Sequence, residues 1–314
     1  MSVAMMFPGQ GSQSVGMLAD LMGAEPVVGQ TFEEASDALG YDLASLALRG
    51  PESDLNRTDR TQPAMLAAGV AVWRAWQAHG GPAPVAMAGH SLGEYSALVC
   101  AGALEFPAAT RLVALRGRLM QQAVPEGAGA MAAVIGLEDD QVEAACRDAS
   151  AAGVVEAVNF NAPGQVVIAG ESDAVDRAVE AATAAGARRA IRLPVSVPSH
   201  CRLMSPVAEA LAEALAEISV SPPAIPVFHN VDGQPRREPR EIRQALADQV
   251  HRPVRWVACV NGLAGTGAGL LVEAGPGRVL TGLARRIDRR VPAVAVEDPE
   301  SLAVALKKAE GESS

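Results

Sequence analysis

The sequence predicts an α/β protein in two parts. The larger is α/β-hydrolase-like, with a central, mainly parallel sheet, and the smaller is a ferredoxin-like insertion. Three observations lead there. The short apolar runs Val3–Phe7, Val85–Ala88 and Leu270–Ala274 each end at a glycine-bearing turn and read as buried strands. From Pro125 to about Pro198 the run order becomes β-α-β-β-α-β, a split arrangement that needs its own small sheet. The pentapeptide Gly89-His90-Ser91-Leu92-Gly93 sets a serine between two glycines where a strand turns into a helix, the geometry of a nucleophile elbow. The expected division is 1–124 with 199–314 for the larger part and 125–198 for the insertion.

A chain of 314 residues, 49% apolar, can bury a large core. With aromatics at 3%, that core is built mainly from Ala, Val and Leu. Few stacking rings and a formal net charge of −10 argue against a nucleic-acid partner. Cys100, Cys146, Cys201 and Cys259 stand far apart without a C-x-x-C, which predicts neither disulfides nor a metal site and fits a reducing compartment. There is no basic n-region before the first apolar run and no apolar stretch of membrane-spanning length. The expectation is a soluble, cytoplasmic, monomeric protein without metal or membrane contact.

Taken in order, Val3–Phe7 ends in the loop Pro8-Gly9-Gln10-Gly11-Ser12-Gln13. That loop matches neither a phosphate loop nor a dinucleotide fingerprint; its alternative use is to aim backbone N–H groups at a reacting centre. Residues 14–60 are helical and loop material, and a helix is expected from a turn at Thr61-Gln62-Pro63-Ala64 through Trp76. After the elbow comes a small-residue helix from Glu94 to Ala103. In the helix from about Pro107 to Ala123, Leu112, Val113, Leu115, Leu119 and Met120 share one face. Arg116 falls in the middle of that face. It is either a structural arginine held by a buried acid or carbonyls, or a fork awaiting a substrate carboxylate.

The insertion follows, with strands at Ala130–Leu137, Val154–Phe160, Gln165–Ala169 and Ala187–Leu193 and helices at Glu138–Ala152 and Ser172–Ala185. Val195 to His200 closes it. Beyond lie a helix from Met204 to Ile218, a strand Ile225–Phe228 ending at His229-Asn230, and an arginine-rich surface from Arg236 to Arg243. A helix through Ala245–Val250 carries Gln249, and the last βα unit has a helix bearing Arg285, Arg286, Arg289 and Arg290. A frayed tail is expected over Glu310–Ser314.

A serine hydroxyl needs a base within hydrogen-bond reach. The candidates are His79, His90, His200, His229 and His251. His90 adjoins the serine but points elsewhere in a tight turn, and His79 lies in a surface turn. His200 and His229 both sit near strand ends, where catalytic groups of α/β folds collect, with His200 slightly ahead. No acid stands where a hydrolase triad would have one.

Four ordered motifs carry a resemblance over nearly the whole chain: Phe7-Pro8-Gly9-Gln10-Gly11-Ser12-Gln13, Gly89-His90-Ser91-Leu92-Gly93-Glu94-Tyr95, Asn161-Ala162-Pro163-Gly164-Gln165 and Pro198-Ser199-His200-Cys201. Together they resemble the malonyl-CoA:acyl carrier protein transacylases of fatty acid synthesis, which are similar to polyketide acyltransferase domains. The resemblance implies Ser91 as nucleophile, His200 as general base and acid, and Gln249 as the residue orienting His200. It also implies the N–H groups of Gln10 and Leu92 as oxyanion hole and Arg116 as partner of the malonyl carboxylate. Malonyl-CoA would be the donor, the phosphopantetheine thiol of an acyl carrier protein the acceptor, and no bound cofactor would be needed. Val197-Pro198-Ser199 fits the fatty-acid type and neither polyketide pattern. Because carrier proteins of this kind are acidic, basic ground at Arg188, Arg189, Arg285 and Arg286 is the expected dock. Rival readings are a malonyl transferase with another acceptor, a serine esterase or thioesterase, and a non-catalytic docking subunit.

Overall fold

In the computed structural model, the described residues are 1–195 and 197–311. Ser196, in the stretch expected to close the insertion, and the last three residues of the expected tail lie outside them. β1 (Val3–Phe7) opens the chain, followed by α1 (Ala19–Ala24), α2 (Pro26–Leu39), α3 (Leu43–Arg49), α4 (Glu52–Leu55) and the long α5 (Thr58–Ala78). β2 (Ala86–Gly89), α6 (Gly93–Cys100) and α7 (Phe106–Ala123) complete the first segment. The insertion holds β3 (Gly129–Ile135), α8 (Asp139–Ala149), β4 (Val155–Ala162), β5 (Gln165–Glu171), α9 (Ser172–Ala184) and β6 (Arg189–Arg192). The chain returns through α10 (Ser205–Ala216), β7 (Val227–Phe228), α11 (Pro239–Gln249) and α12 (Trp256–Gly265). It ends with β8 (Leu270–Ala274), α13 (Val279–Ile287), β9 (Ala293–Val296) and α14 (Pro299–Glu310).

The large sheet runs β7-β2-β1-β8-β9, and all its pairings are parallel. Burial on both faces explains why its strands read as unbroken apolar runs. Val3, Met5 and Phe7 of β1 enter the core formed with α2 and α5, while Ala4 and Met6 enter the core on the α12 and α13 side. The second sheet is antiparallel, in the order β4-β5-β3-β6, and lies inside the expected insertion with its own core around α8 and α9. Its opposite face packs Met131, Val158, Val167 and Ala169 against Cys201, just after His200. The end of β4 is also stitched to the segment before α12: Phe160 N–H donates to Val254 O at 3.0 Å and Val254 N–H to Val158 O at 2.8 Å.

Several local expectations shift. α5 begins at Thr58, so Pro63 lies inside the helix and not in a turn before it. A proline there forgoes one backbone bond, a cost of about 3 kcal/mol in an exposed helix. Near-complete burial of α5, Met65 and Trp76 included, offsets it. The turn between β4 and β5 is shorter than the expected four residues, because Asn161 and Ala162 still belong to β4. Arg289 and Arg290 lie past the end of α13. Glu310 is the last residue of α14, a helix that, like β9, the polarity pattern did not reveal. Arg243 is not a solvated charge: it donates to the carbonyls of Leu215 and Ile218, each at 2.9 Å, at the C-terminus of α10.

Candidate active site

The C-terminal edge of the parallel sheet supplies three of the site's segments, and α5, α7, α11 and the segment after β6 bring Gln62, Arg116, Gln249 and His200 to it. β1 delivers the Pro8-Gly9-Gln10 loop, β2 the elbow, and β7 the pair His229-Asn230. The elbow glycines are steric necessities. A Cβ on Gly89 would stand 1.9 Å from the Gly93 carbonyl carbon, and one on Gly93 would stand 2.0 Å from Phe7 O. Gly9 is equally constrained, its Cβ position lying 2.4 Å from His90 O. Ser91 itself is held at φ 50° and His200 at φ 67°, left-handed conformations that cost on the order of 1–3 kcal/mol apiece in non-glycine residues. Gly89→Ala is therefore expected to dismantle the turn. A fall in melting temperature together with loss of Ser91 reactivity toward an acyl-CoA would show it, and an unchanged Ser91 reactivity would refute it.

Of the five histidines, the fold brings His200 to the serine. Ser91 Oγ and His200 Nε2 are 2.7 Å apart, and the other ring nitrogen, Nδ1, donates to the Gln249 backbone carbonyl at 2.7 Å. Gln249, expected to orient this histidine, meets it through its main chain. The peptide oxygen fixes the Nδ1–H tautomer, leaving Nε2 as acceptor for the serine proton. Burial, reinforced by the Arg116 charge, lowers the His200 pKa to about 3, so the ring is neutral at neutral pH. The remaining histidines are engaged elsewhere. His79 meets Glu25 on the surface at 2.8 Å. His90 Nε2 meets Asn161 Oδ1 at 2.8 Å, with its ring edge against Trp256. His229 is buried on Glu94 at 2.7 Å. His251 follows the end of α11, and its Nδ1 is unpartnered among the described residues.

The main-chain N–H groups of Leu92 and Gln10 donate no hydrogen bond among the described residues. The two loops adjoin, since the Gly9 Cβ position would lie 3.7 Å from Leu92 N. Two free N–H donors beside the nucleophile suit a developing oxyanion.

Arg116 is 1% exposed and pairs with no carboxylate among the described residues, which removes the structural alternative of a buried acid as its partner. Its Nη1 donates to Gln62 Oε1 at 2.9 Å, and its Nη2 to Gln249 Oε1 at 3.0 Å and to Ser91 Oγ at 3.4 Å. Burial lowers its pKa, with the Tyr95 ring and the Glu94 carboxylate opposing that pull. Close helix packing places it there: a Cβ on Gly117 would sit 2.6 Å from Thr58 O, so α7 approaches the first turn of α5.

Four further residues contribute to the site. Gln62, expected in a turn, lies in α5 and meets Arg116. Glu94 is buried at the start of α6. His229, a candidate base by its place at a strand end, is a buried partner of Glu94. Asn230 clamps the elbow, accepting from Ser91 N–H at 2.7 Å and donating to Gly89 O at 2.7 Å. Its place at the end of β7, on the functional edge of the sheet, was the available signal.

The expected docking arginines split. Arg188 and Arg286 both flank the Pro163-Gly164 turn: Arg286 donates to Pro163 O at 3.1 Å and to Gln165, while Arg188 packs against Gly136, which itself bonds Gly164 O. Arg189 is exposed and pairs across the sheet with Ile135, on the face that also carries Met131. Arg285 turns away to Ala293 O at 3.2 Å.

The acyl transferase domain family matches residues 4–303. The chain is 55% identical over 304 residues to the malonyl CoA-acyl carrier protein transacylase of Escherichia coli strain K12, covering 97% of this chain and 98% of that one. It is 40% identical over 306 residues to the protein of the same name from Bacillus subtilis, covering 97% and 96%. A solved acyl carrier protein S-malonyltransferase from Vibrio cholerae superposes with a TM-score of 0.95 at 57% identity, covering 97% of this chain and 100% of the other. A malonyl-transacylase solved in complex with a type II polyketide acyl-carrier protein superposes with a TM-score of 0.97, also at 57% identity, over 98% of this chain and 100% of that one.

Proposed function

The chain belongs to the acyl transferase domain family, and from that premise we propose that it moves a malonyl group from malonyl-CoA to the phosphopantetheine thiol of an acyl carrier protein. The observation that carries the reading is the position of Ser91 Oγ, 2.7 Å from the imidazole of His200 and 3.4 Å from the guanidinium of Arg116. A base beside the hydroxyl makes it a nucleophile. A buried cation beside the same hydroxyl selects an acyl group whose own carboxylate lies about one methylene from the reacting carbonyl.

The chemistry then runs in two symmetric halves. His200 takes the Ser91 proton as Oγ adds to the thioester carbon, and the oxyanion is held by the Leu92 and Gln10 amides. Collapse breaks the carbon–sulfur bond, and the CoA sulfur leaves with the proton from His200. The malonyl-serine ester is next attacked by the carrier thiol, whose proton passes to His200 and then to the departing Ser91 oxygen. Fatty acid synthesis is the supply route that the chain's motifs favour. The solved complex of a similar enzyme with a polyketide carrier supports a second acceptor of the same chemical kind. Burial raises the pKa of all four thiols, to about 12 for Cys146 and Cys201, which makes them poor nucleophiles compared with Ser91.

Intact mass spectrometry after incubation with malonyl-CoA is expected to show one malonyl adduct on Ser91, discharged by adding carrier protein bearing its phosphopantetheine arm. No adduct on the wild-type chain, or one that the carrier cannot discharge, would overturn the reading.

For docking, we propose Arg188 and Arg286 at the Pro163-Gly164 turn with the exposed Arg189 next in sequence as the basic ground, while Arg285, bonded to Ala293 O, contributes less. Reversing charge in an Arg188→Glu, Arg189→Glu double variant is expected to raise the KM for carrier protein several-fold at low salt, an effect that salt erodes. Carrier kinetics that do not change at low salt would remove these arginines from the dock.

A further inference from the structure

We propose that Glu94 is a positioning residue for Arg116: through the side-chain amide of Gln249 it sets the guanidinium that receives the substrate carboxylate. The inference rests on the reading of Arg116 given above. Glu94 lies in the first turn of α6, wholly buried, and hydrogen-bonds neither Ser91 Oγ nor the His200 ring. Its Oε1 meets His229 Nδ1 at 2.7 Å, while its Oε2 accepts from Asn230 N–H at 2.9 Å and from Gln249 Nε2 at 2.8 Å. No arginine or lysine among the described residues forms an ion pair with it.

The Gln249 amide has one donating and one accepting end, and its neighbours admit only one orientation. Its two amide protons go to Glu94 Oε2 and, at 2.9 Å, to the Ser91 carbonyl, so Oε1 faces Arg116 Nη2 at 3.0 Å. Turned over, the amide would set its NH2 against a guanidinium and its oxygen against a carboxylate and a carbonyl. Glu94 and the Ser91 carbonyl together fix which end Arg116 meets, and Glu94 is the charged acceptor and the one side chain of the two. The other anchor of the guanidinium is Gln62, whose own amide nitrogen finds only the sulfur of Met120 at 3.4 Å, and Arg116 Nε has no partner among the described residues. The guanidinium's further contacts are looser, Ser91 Oγ at 3.4 Å and the Tyr95 ring centroid at 5.6 Å, so loss of the Gln249 bond leaves Gln62 as its one short hydrogen bond among the described residues. A bidentate hold on a carboxylate is sensitive to the swing this allows.

One residue thus serves both halves of the selection. The Gln249 main chain aims the base, and its side chain, locked by Glu94, aims the specificity cation. The amide bridge also keeps an anion near a buried guanidinium without occupying the face turned to Ser91.

The test compares kcat/KM for malonyl-CoA and acetyl-CoA in Glu94→Ala, Glu94→Gln, Arg116→Ala and the Glu94→Ala, Arg116→Ala double variant. Glu94→Ala is expected to lower the malonyl-to-acetyl ratio by about tenfold or more, with KM for malonyl-CoA rising more than kcat falls. Glu94→Gln keeps an acceptor for Gln249 and Asn230 and should restore the ratio to within about threefold of wild type. Adding Glu94→Ala to Arg116→Ala should leave the ratio where Arg116→Ala alone puts it. Equal losses for both substrates in Glu94→Ala, or a further fall in the double variant, would overturn the proposal and leave Glu94 a structural acid. If Glu94→Ala does not fold, Glu94→Asp, which withdraws the oxygens from Gln249, should lower the ratio in the same direction, and an unchanged ratio there overturns the proposal. An unchanged ratio in Arg116→Ala would instead overturn the reading of Arg116 itself.

Discussion

His200→Ala is expected to slow acylation of Ser91 by malonyl-CoA by roughly 10²- to 10⁴-fold, the share that a positioned general base contributes. The adduct should still form, slowly, because the elbow, the two amides of the oxyanion hole and Arg116 remain. The pH dependence gives a second, independent reading of the same group. The neutral ring is the active form, and the His200 pKa is lowered to about 3 by burial first and the Arg116 charge second. Lowering the pKa keeps the base free as pH falls. The acid limb of kcat/KM for acylation should therefore lie well below 6.5, the ordinary histidine value, with little loss between pH 7 and 5. Bound malonyl-CoA changes one of the two causes, since its carboxylate offsets the charge on Arg116. The limb in kcat should accordingly stand at higher pH than the limb in kcat/KM. Pre-steady-state acylation rates from pH 4 to 8 measure both. A limb near 6.5 in kcat/KM would mean that His200 is solvated in the free enzyme.

Arg116→Ala carries the second large effect, and it divides the substrates. Malonyl transfer loses a buried, hydrogen-bonded ion pair, and truncating one partner of such a pair costs about 2–5 kcal/mol. Acetyl transfer has no carboxylate to lose. In the wild type an acetyl group leaves the guanidinium buried and unpaired by its substrate, so acetyl-CoA is penalised there and relieved in the variant. The ratio of kcat/KM values for malonyl-CoA over acetyl-CoA should fall by about two orders of magnitude, measured as competing adducts on Ser91. A preserved ratio would make Arg116 a structural residue held by Gln62 and Gln249.

Much of the fold was readable because its causes are local. Two-sided burial writes itself into β1 as five consecutive buried apolar residues, and the elbow requires glycine within two positions of Ser91 on either side. The insertion was legible because its strands alternate with helices in an order that closes only as a separate sheet. The expected boundaries failed where packing overrode local signals. Pro63 reads as a turn yet is tolerated in a buried helix.

The sequence by itself determined the elbow, the mainly parallel character of the large sheet, the split insertion and, by four ordered motifs, the family; the strand order came from the fold. The elbow and the buried strands depend on sterics or periodicity over a few residues, the insertion on the order of its elements, and the family on the resemblance of motifs spread from Phe7 to Cys201. Residue patterning left His200 and His229 open and only the motif resemblance pointed to His200; the folded chain sets its Nε2 2.7 Å from Ser91 Oγ, across 109 positions. It also decided that Arg116 faces the nucleophile without a carboxylate partner, and that Gln249 holds His200 through its main chain and Arg116 through its side chain, across 133 positions in the latter case. A residue type fixes what a group can donate or accept; the folded chain alone fixes what stands within 3 Å of it.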